Sequence, residues 1–554
     1  MIVVGAGPAG AAASLSLARK GVNVLMLEKA RVPGERNMTG GVLYGDFPGQ
    51  WGLVSLVPDF ESTAPVERRI LSHEVVILDA PDYEHGRSKY YRLSKTSLPV
   101  KVGLIPMEFE TGHDYSVLRR PFDRWFANLA VSSGAMLSTE TTVEGLLKDG
   151  DAVVGVRTPK EELRAKLVID ASGVTSNLVT EAGLRARLTP RQLYHGIKRV
   201  YKLDPSNIEK RFRVRPGEGR AMFFLGEFMH GIGGGAFVYT NNESLSVGLV
   251  VSLDSLIRKT TEGFDQVGKL LDVQDEFEEH PMVAELLDGA QAQEYSAHNI
   301  PKGHKAVLKR PYADGFLVAG DALGSFVKIG PMIDGMRRAI MSGMMAASAY
   351  LSASPSGSFR GRNLSRYVDY LAPIYEDVNR SGRDSFISES SFTYHTLPRL
   401  VFSTGLVASV YSFEPRAPAK GRDATSRVQE GTGLLDYDED EEYAHIKVEA
   451  DRASQSLSKP WVPACPTNCY TIFTPKGVFA SFKDLYSHNL EHGGKSEGDR
   501  KKALAQTMND IAAARLRFDH VPCVECGTCG AIGPPEMVTF GHEKDGHGVR
   551  YRFG

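Results

Sequence analysis

Apolar positions along the chain come in short runs whose periodicity changes from one segment to the next. Ile2-Val3-Val4 is a continuous apolar run and predicts a buried strand. A glycine-rich turn follows, then an alanine-rich helix through Lys20 and a second strand from Val22 to Leu27. Residues 31–110 are mixed and turn-rich. Phe122, Phe126, Leu129 and Ala130 are at helical spacing within Pro121 to Gly134, and short strands follow to Val156. Leu167-Val168-Ile169 predicts a strand running into Asp170-Ala171-Ser172-Gly173. Between residues 186 and 300, β-branched and aromatic runs such as Ala236-Phe237-Val238-Tyr239 and Leu245 to Val251 predict an antiparallel sheet. Gly315 to Gly320 reads as another buried strand, followed by a long Ala/Met helix from Gly335 to Leu351. Residues 415–460 turn basic and then acidic, with the run Asp436 to Glu442, and are expected to form a linker. No internal repeat is present.

Length and composition narrow the class. The 554 residues predict several domains. Apolar content of 42% and charged content of 24% are those of a globular protein, and a net charge of −2 gives no basic field for nucleic acid. No run of about 18 apolar residues predicts a membrane span. No secretory signal is read, and the first strand begins so early that a few native residues are expected to precede it. The five cysteines all fall in the last 90 residues, oddly numbered and metal-like in spacing, which favours a reducing compartment.

Gly5-Ala6-Gly7-Pro8-Ala9-Gly10 matches G-x-G-x-x-G between a strand and a helix, the context the motif needs. Gly5 permits the tight turn, Gly7 lets backbone approach a pyrophosphate, and Gly10 lets helix and strand pack closely. The helix N-terminus adds N–H donors and a positive dipole end. Glu28, 18 residues after Gly10, is suited to a ribose diol and would repel a 2′-phosphate. Two later strand ends, at Ala171 and Gly173 and at Gly320-Asp321, bring the chain back to the same place, which fits an extended cofactor such as FAD better than NAD. Asp321 is suited to hydroxyls of the ribityl or ribose part.

Gly5 to Gly10, Pro33 to Tyr44, Val117 to Trp125 and Gly320-Asp321-Ala322 together resemble the FixC family, the flavoprotein half of electron-transfer-flavoprotein:quinone oxidoreductases. The resemblance covers residues 1–415. It implies a fold of α/β class, α+β overall: a p-hydroxybenzoate-hydroxylase-like FAD-binding domain from residues 1–185 and 300–355, an antiparallel-sheet quinone domain over 186–299, and a helical, possible membrane-facing segment over 356–415. It extends the expected FAD contacts to Lys29, Gly40, Gly41, Arg119, Val143, Gly335 and Met336. Gly231 to Ala236 also fits a dinucleotide fingerprint, but the residues after it are β-rich and supply no helix N-terminus. By resemblance, Gly234 and Gly235 fall where a quinone carbonyl meets backbone; otherwise they form a strand-edge turn.

Cys523-Val524-Glu525-Cys526-Gly527-Thr528-Cys529 is a C-x-x-C-x-x-C run in which the expected fourth local C-P is Gly533-Pro534. Cys465-Pro466 supplies a remote C-P. The count predicts one [4Fe–4S] cluster on Cys465, Cys523, Cys526 and Cys529, with Cys469 a spare thiol or substitute ligand. Zinc is the competing metal, since four thiolates also suit tetrahedral zinc. Residues 455–554 resemble FixX, the ferredoxin-like partner of FixC, through Cys465 to Tyr470, the triple-cysteine run and Gly546 to Gly554; the ferredoxin-like domain is expected over 461–554.

The paired resemblance implies electron transfer from a two-subunit electron-transfer flavoprotein, through cluster and FAD, to a membrane quinone (ubiquinone or menaquinone). It implies a peripheral site at the cytoplasmic face of the membrane and leaves open a stable electron-bifurcating complex. No catalytic acid, base or nucleophile is nominated. Leu397 to Phe402 and Leu406 to Tyr411 form an apolar, Arg-bearing stretch that could lie on a membrane or in a core, as could Met332, Met336, Met341, Met344 and Met345. Two rivals stand beside this reading: a geranylgeranyl-type prenyl reductase using FAD, and a scaffold with a zinc-ribbon tail.

Overall fold

A computed structural model of the protein describes residues 1–38, 41–45, 50–94, 113–330, 332–390, 396–403, 409–415, 423–440, 442–491 and 496–554. Gly40 and residues 404–408 lie outside the described residues.

The predicted short apolar strands meet in one sheet. Its order is Tyr312–Ala313, Phe316–Val318, Val168–Asp170, Ile2–Val4, Leu25–Leu27 and Met136–Ser138, parallel except for the first pair. Such strands are apolar throughout because helices cover both faces of a parallel sheet. Helix Pro8–Ala18 packs against Met336–Ala353 and Arg119–Ser132. Met332, Met336, Met341, Met344 and Met345 are all buried, so this methionine group fills core and offers no membrane face.

Among the described residues the second sheet has ten strands. Gln291–Pro301, Leu193–Lys202, Ser244–Ser252, Gly234–Thr240 and Glu218–Gly226 form the expected antiparallel array. It then continues through residues placed at the sequence level in the FAD-binding span. Val66–Leu78 pairs parallel with Glu218–Gly226, and Arg87–Leu93, Asp114–Val117, Val42–Leu43 and Ser409–Ser412 extend it. The sheet is therefore neither confined to 186–299 nor purely antiparallel. Val75, Val76, Ile77 and Leu78 are buried, Val76 and Leu78 in one core and Val75 and Ile77 in another on the opposite face of the strand.

The acidic stretch is not a linker. Ala424–Thr432 is a helix against Leu270–Glu279, Asp436–Asp438 pairs with Gly548–Arg550, and Ile446–Val448 pairs with Val538–Phe540. Asp438 takes salt bridges from Arg31 and Arg550, so the acidic charge that suggested solvent exposure is matched by cations from distant segments. The cysteine-bearing tail carries its own core of Trp461, Ile472, Phe482, Leu485 and Val538 beneath the sheet Gly477–Phe479, Tyr470–Thr474 and Arg515–Phe518. No helix of the described residues is long and apolar enough to cross a membrane.

Candidate functional site

Between the two sheets lies a cavity of about 1920 Å³ of atom-free space, including its open mouth. Gly5, Gly7, Pro8 and Ala9 form its floor where the first strand meets the first helix. Gly5 has φ +95°, and a Cβ there would meet the Ala171 carbonyl oxygen at 2.5 Å. Gly10 does not line the cavity: a Cβ on it would be 1.9 Å from the Gly5 carbonyl oxygen, so it lets the helix start directly under the turn. Ala6 is not a lining residue either; its N–H donates to Glu28 Oε2 at 2.9 Å.

Glu28 and Lys29 line the cavity at the end of the Leu25–Leu27 strand. Glu28 also accepts from Ala30 N (3.0 Å), and burial raises its pKa. Ala171 and Gly173 line it in a loop knotted by Asp170, which accepts from Ser172 N (3.0 Å), Ser172 Oγ (2.6 Å) and Ser176 Oγ (2.6 Å). Gly41, Arg119, Val143, Gly320, Asp321, Gly335 and Met336 complete the predicted set on the wall. Arg119 is held by Asp123 through two hydrogen bonds of 3.1 and 2.8 Å. Gly234 and Gly235 are not on the wall. They sit inside the sheet opposite Val251 and Val250, where a Cβ would meet the carbonyl oxygens of Val250 (2.3 Å) and Phe224 (2.8 Å). Their strand reaches the cavity further on, with Phe237 and Tyr239.

Asp321 carries the clearest sign of a missing partner. Its Oδ1 is buried with no hydrogen bond, and burial pushes the carboxyl up to about 6, against the pull of Arg119. A carboxyl raised in the folded state contributes stability that is fully present below about pH 4 and is lost as pH rises through about 6. Asp321→Asn should therefore make the flavin-free protein more stable than the parent by about 2–3 kcal/mol above pH 6, with the gap closing toward pH 4. Urea unfolding at pH 5 and pH 7.5 checks this. An equal stability difference at both pH values would refute it.

A second, smaller cavity lies in the tail. All five cysteines line it, with Trp461, Pro466, Thr467, Tyr470, Val524 and Phe540. Cys469 is thus beside the four predicted ligands, with Thr467 Oγ1 3.5 Å from its sulfur. Glu525 N donates to Cys523 Sγ at 3.3 Å, His445 Nε2 is also 3.3 Å from that sulfur, and Thr528 Oγ1 is 3.3 Å from Cys526 Sγ. Burial pushes the Cys526 and Cys529 thiols up to about 12, so holding them as thiolates requires a bound cation to displace their protons. Among the described residues no three His, Cys, Asp or Glu side chains converge on a single-ion site.

Sequence reasoning missed several residues here. Lys269 is buried and donates to the carbonyl oxygens of Val462 (2.7 Å) and Cys465 (2.8 Å). Lys198 lines the larger cavity, donates to the Gly554 carbonyl, and is lowered to about 8 by burial. Glu525 is buried, which raises its pKa, but Lys29 and Arg36 outweigh this and hold it well below the usual range. Only Glu525 had a local signal, its place between two motif cysteines. The others are lone cations in unremarkable sequence.

Residues 1–192 match the FAD dependent oxidoreductase family model. Protein FixC of Escherichia coli K12 is 35% identical over 377 residues, covering 67% of this chain and 80% of FixC. This chain belongs to the FixC-like family of FAD-dependent oxidoreductases. The probable electron transfer flavoprotein-quinone oxidoreductase YdiS of the same organism is 31% identical over 402 residues, covering 72% of this chain and 88% of that protein. A geranylgeranyl bacteriochlorophyll reductase-like structure from Thermoplasma acidophilum has a TM-score of 0.53 at 22% identity, covering 72% of this chain and 90% of that one; it shares the fold. The larger cavity fits the family's cofactor: at Gly5 and Gly10 the turn has no room for a side chain, Glu28 is fixed by the Ala6 N–H, and the orphaned oxygen of Asp321 awaits a donor. For a FixC-like chain the sequence similarity favours flavoprotein electron transfer over prenyl reduction.

Proposed function

We propose that this protein carries electrons from a reduced electron-transfer flavoprotein, through a [4Fe–4S] cluster on Cys465, Cys523, Cys526 and Cys529 and through FAD, to a membrane quinone. The observation that carries the reading is that Val524, between two of the motif cysteines, lines both cavities, so the cysteine pocket and the flavin cavity share a wall residue. A cluster transfers one electron at a time and a flavin one or two, which together match a one-electron donor to a quinone that takes two electrons and two protons.

The chain's own part is binding and exclusion. When FAD is bound, N–H groups at the start of Pro8–Ala18 would hold its pyrophosphate, and Glu28 and Asp321 would accept from its hydroxyls. Phe237, Tyr239 and Val250 give an apolar wall suited to a quinone ring. Leu400 (49%) and Val410 (61%) are exposed and support peripheral membrane contact at their own positions, while Leu397 is buried in core. The two-subunit donor, including a stable bifurcating assembly, belongs to the same proposal.

The test is anaerobic purification, absorption, and low-temperature EPR after dithionite, followed by addition of reduced electron-transfer flavoprotein and a soluble quinone analogue. Flavin bands and an S = 1/2 signal, both reoxidised by quinone, are expected. Cys526→Ser should abolish the EPR signal, and Cys469→Ser should keep it. FAD without a cluster signal, with zinc on metal analysis, would overturn the electron-relay reading.

A further inference from the structure

Glu525 occupies the gap between Cys523 and Cys526, yet its side chain points away from the cysteines into the flavin-binding half. It is 5% exposed. Its carboxylate accepts from Lys29 Nζ, and Arg36 Nη1 lies 3.8 Å away. Glu543 N also donates to Oε1 at 3.3 Å. Lys29 directly follows Glu28, the carboxylate braced against Ala6, and Lys29, Arg36 and Glu525 all line the flavin cavity. Lys29 further donates to His542 Nδ1 (3.2 Å), another tail residue on the same wall. The segment Val524-Glu525 is thus one piece of backbone with a cysteine at each end, forming part of the flavin cavity's wall.

An ion pair this buried contributes little net stability, because desolvation offsets the attraction, but removing one partner leaves the other charge unpaired. Its consequence here is geometric. The wall segment cannot move without breaking the contacts to Lys29 and Arg36, and it is joined at each end to a cysteine of the tail pocket.

We propose that Glu525 is a positioning residue that makes retention of the flavin depend on the metal-loaded state of the cysteine pocket. With the pocket loaded, Cys523 and Cys526 are pinned, Glu525 is presented to Lys29 and Arg36, and the wall is shut. With the pocket empty, the Val524-Glu525 segment is released and the flavin leaves faster. The order of assembly follows, since flavin bound before the metal would be held loosely. The proposal rests on the reading that the cysteines bind metal, and is independent of which donor or acceptor the protein serves.

The experiment measures the rate of flavin release from the purified full-length holoprotein, read as recovery of free-flavin fluorescence on dilution, alongside iron content. Glu525→Gln should release flavin about tenfold or more faster, as expected when one member of a buried charge pair is removed. Glu525→Asp, which keeps the charge, should keep the rate within about threefold of the parent, a difference from Glu525→Gln that a purely steric role for residue 525 would not produce. Unstable variants do not remove the test, because the parent protein stripped of iron by oxidation and chelation should release flavin at the faster rate too. A release rate unchanged by iron removal, or unchanged in Glu525→Gln, would overturn the proposal. Holoprotein that shows the coupling but gives no quinone reduction would instead overturn the electron-transfer reading and leave this one standing.

Discussion

Replacing Gly10 with valine should yield folded protein that purifies without flavin. The added Cβ would be 1.9 Å from the Gly5 carbonyl oxygen and 3.0 Å from its carbon. Both are backbone atoms of the turn itself, so no side-chain rotation relieves the overlap. Overpacking of this kind costs about 1–3 kcal/mol, and here the upper end applies, because the atoms that must shift are backbone atoms of the turn that lines the cavity. At 1.4 kcal/mol per tenfold, flavin affinity should fall about a hundredfold. The helix Pro8–Ala18 is otherwise alanine-rich and packed on Met336–Ala353, so the parallel sheet should survive. Absorbance of the purified variant and titration with added FAD check the prediction. A variant retaining stoichiometric flavin would mean that the turn is not the pyrophosphate site.

Replacing Glu294 with alanine should destabilise the protein by about 3–5 kcal/mol, the cost of leaving a buried charge and its partners unmatched. Glu294 is 1% exposed in the strand Gln291–Pro301. Its two oxygens accept from the backbone N–H groups of Arg552, Phe553 (3.0 Å) and Gly554 (2.8 Å). Lys198, buried close by, donates to the Gly554 carbonyl. The alanine variant would strand three donors and leave Lys198 without its nearby anion. Residues 552–554 should detach, exposing the cavity wall near Arg119 and Asn37, which Gly554 contacts. Urea unfolding followed by flavin fluorescence, with limited proteolysis of the released end, measures both effects. A loss below about 1 kcal/mol would show that the tail is held by packing alone.

The two variants differ in how far they could be foreseen. Gly10 announces itself by spacing, because a nucleotide turn is a local object: strand, three glycines and a helix start lie within a dozen residues, and steric rules act at that range. The same holds for Glu28, at the end of the next strand, and for Asp321, at a strand end that leads into a helix. Glu294 has no such signal. It is one carboxylate in a β-rich stretch, and its role appears only when residue 552 is brought to it from the other end of the chain.

Other differences have the same origin. The acidic residues around Asp438 looked like solvated linker because their partners, Arg31 and Arg550, are hundreds of positions away or at the far terminus. Val66–Leu78 was placed with the flavin-binding residues because it lies between them in sequence, but strand pairing depends on which edge is open and not on order along the chain. Gly234 and Gly235 read either as backbone against a quinone carbonyl or as a strand-edge turn. The close approach that requires them is to the neighbouring strands, and it is Phe237 and Tyr239 that meet the cavity.

What the sequence by itself determined was therefore the local chemistry: a dinucleotide turn with its acidic partner, a parallel-sheet strand pattern, and a cysteine run with one remote C-P. Short-range sterics and ligand spacing encode these completely. What only the tertiary structure decided was adjacency: that all five cysteines share one pocket, that Val524 lines both that pocket and the flavin cavity, and that Lys29, Arg36 and Glu525 meet across it. Those contacts join residues some 500 positions apart, and their formation depends on how whole sheets and cores pack, which no local pattern of residues records.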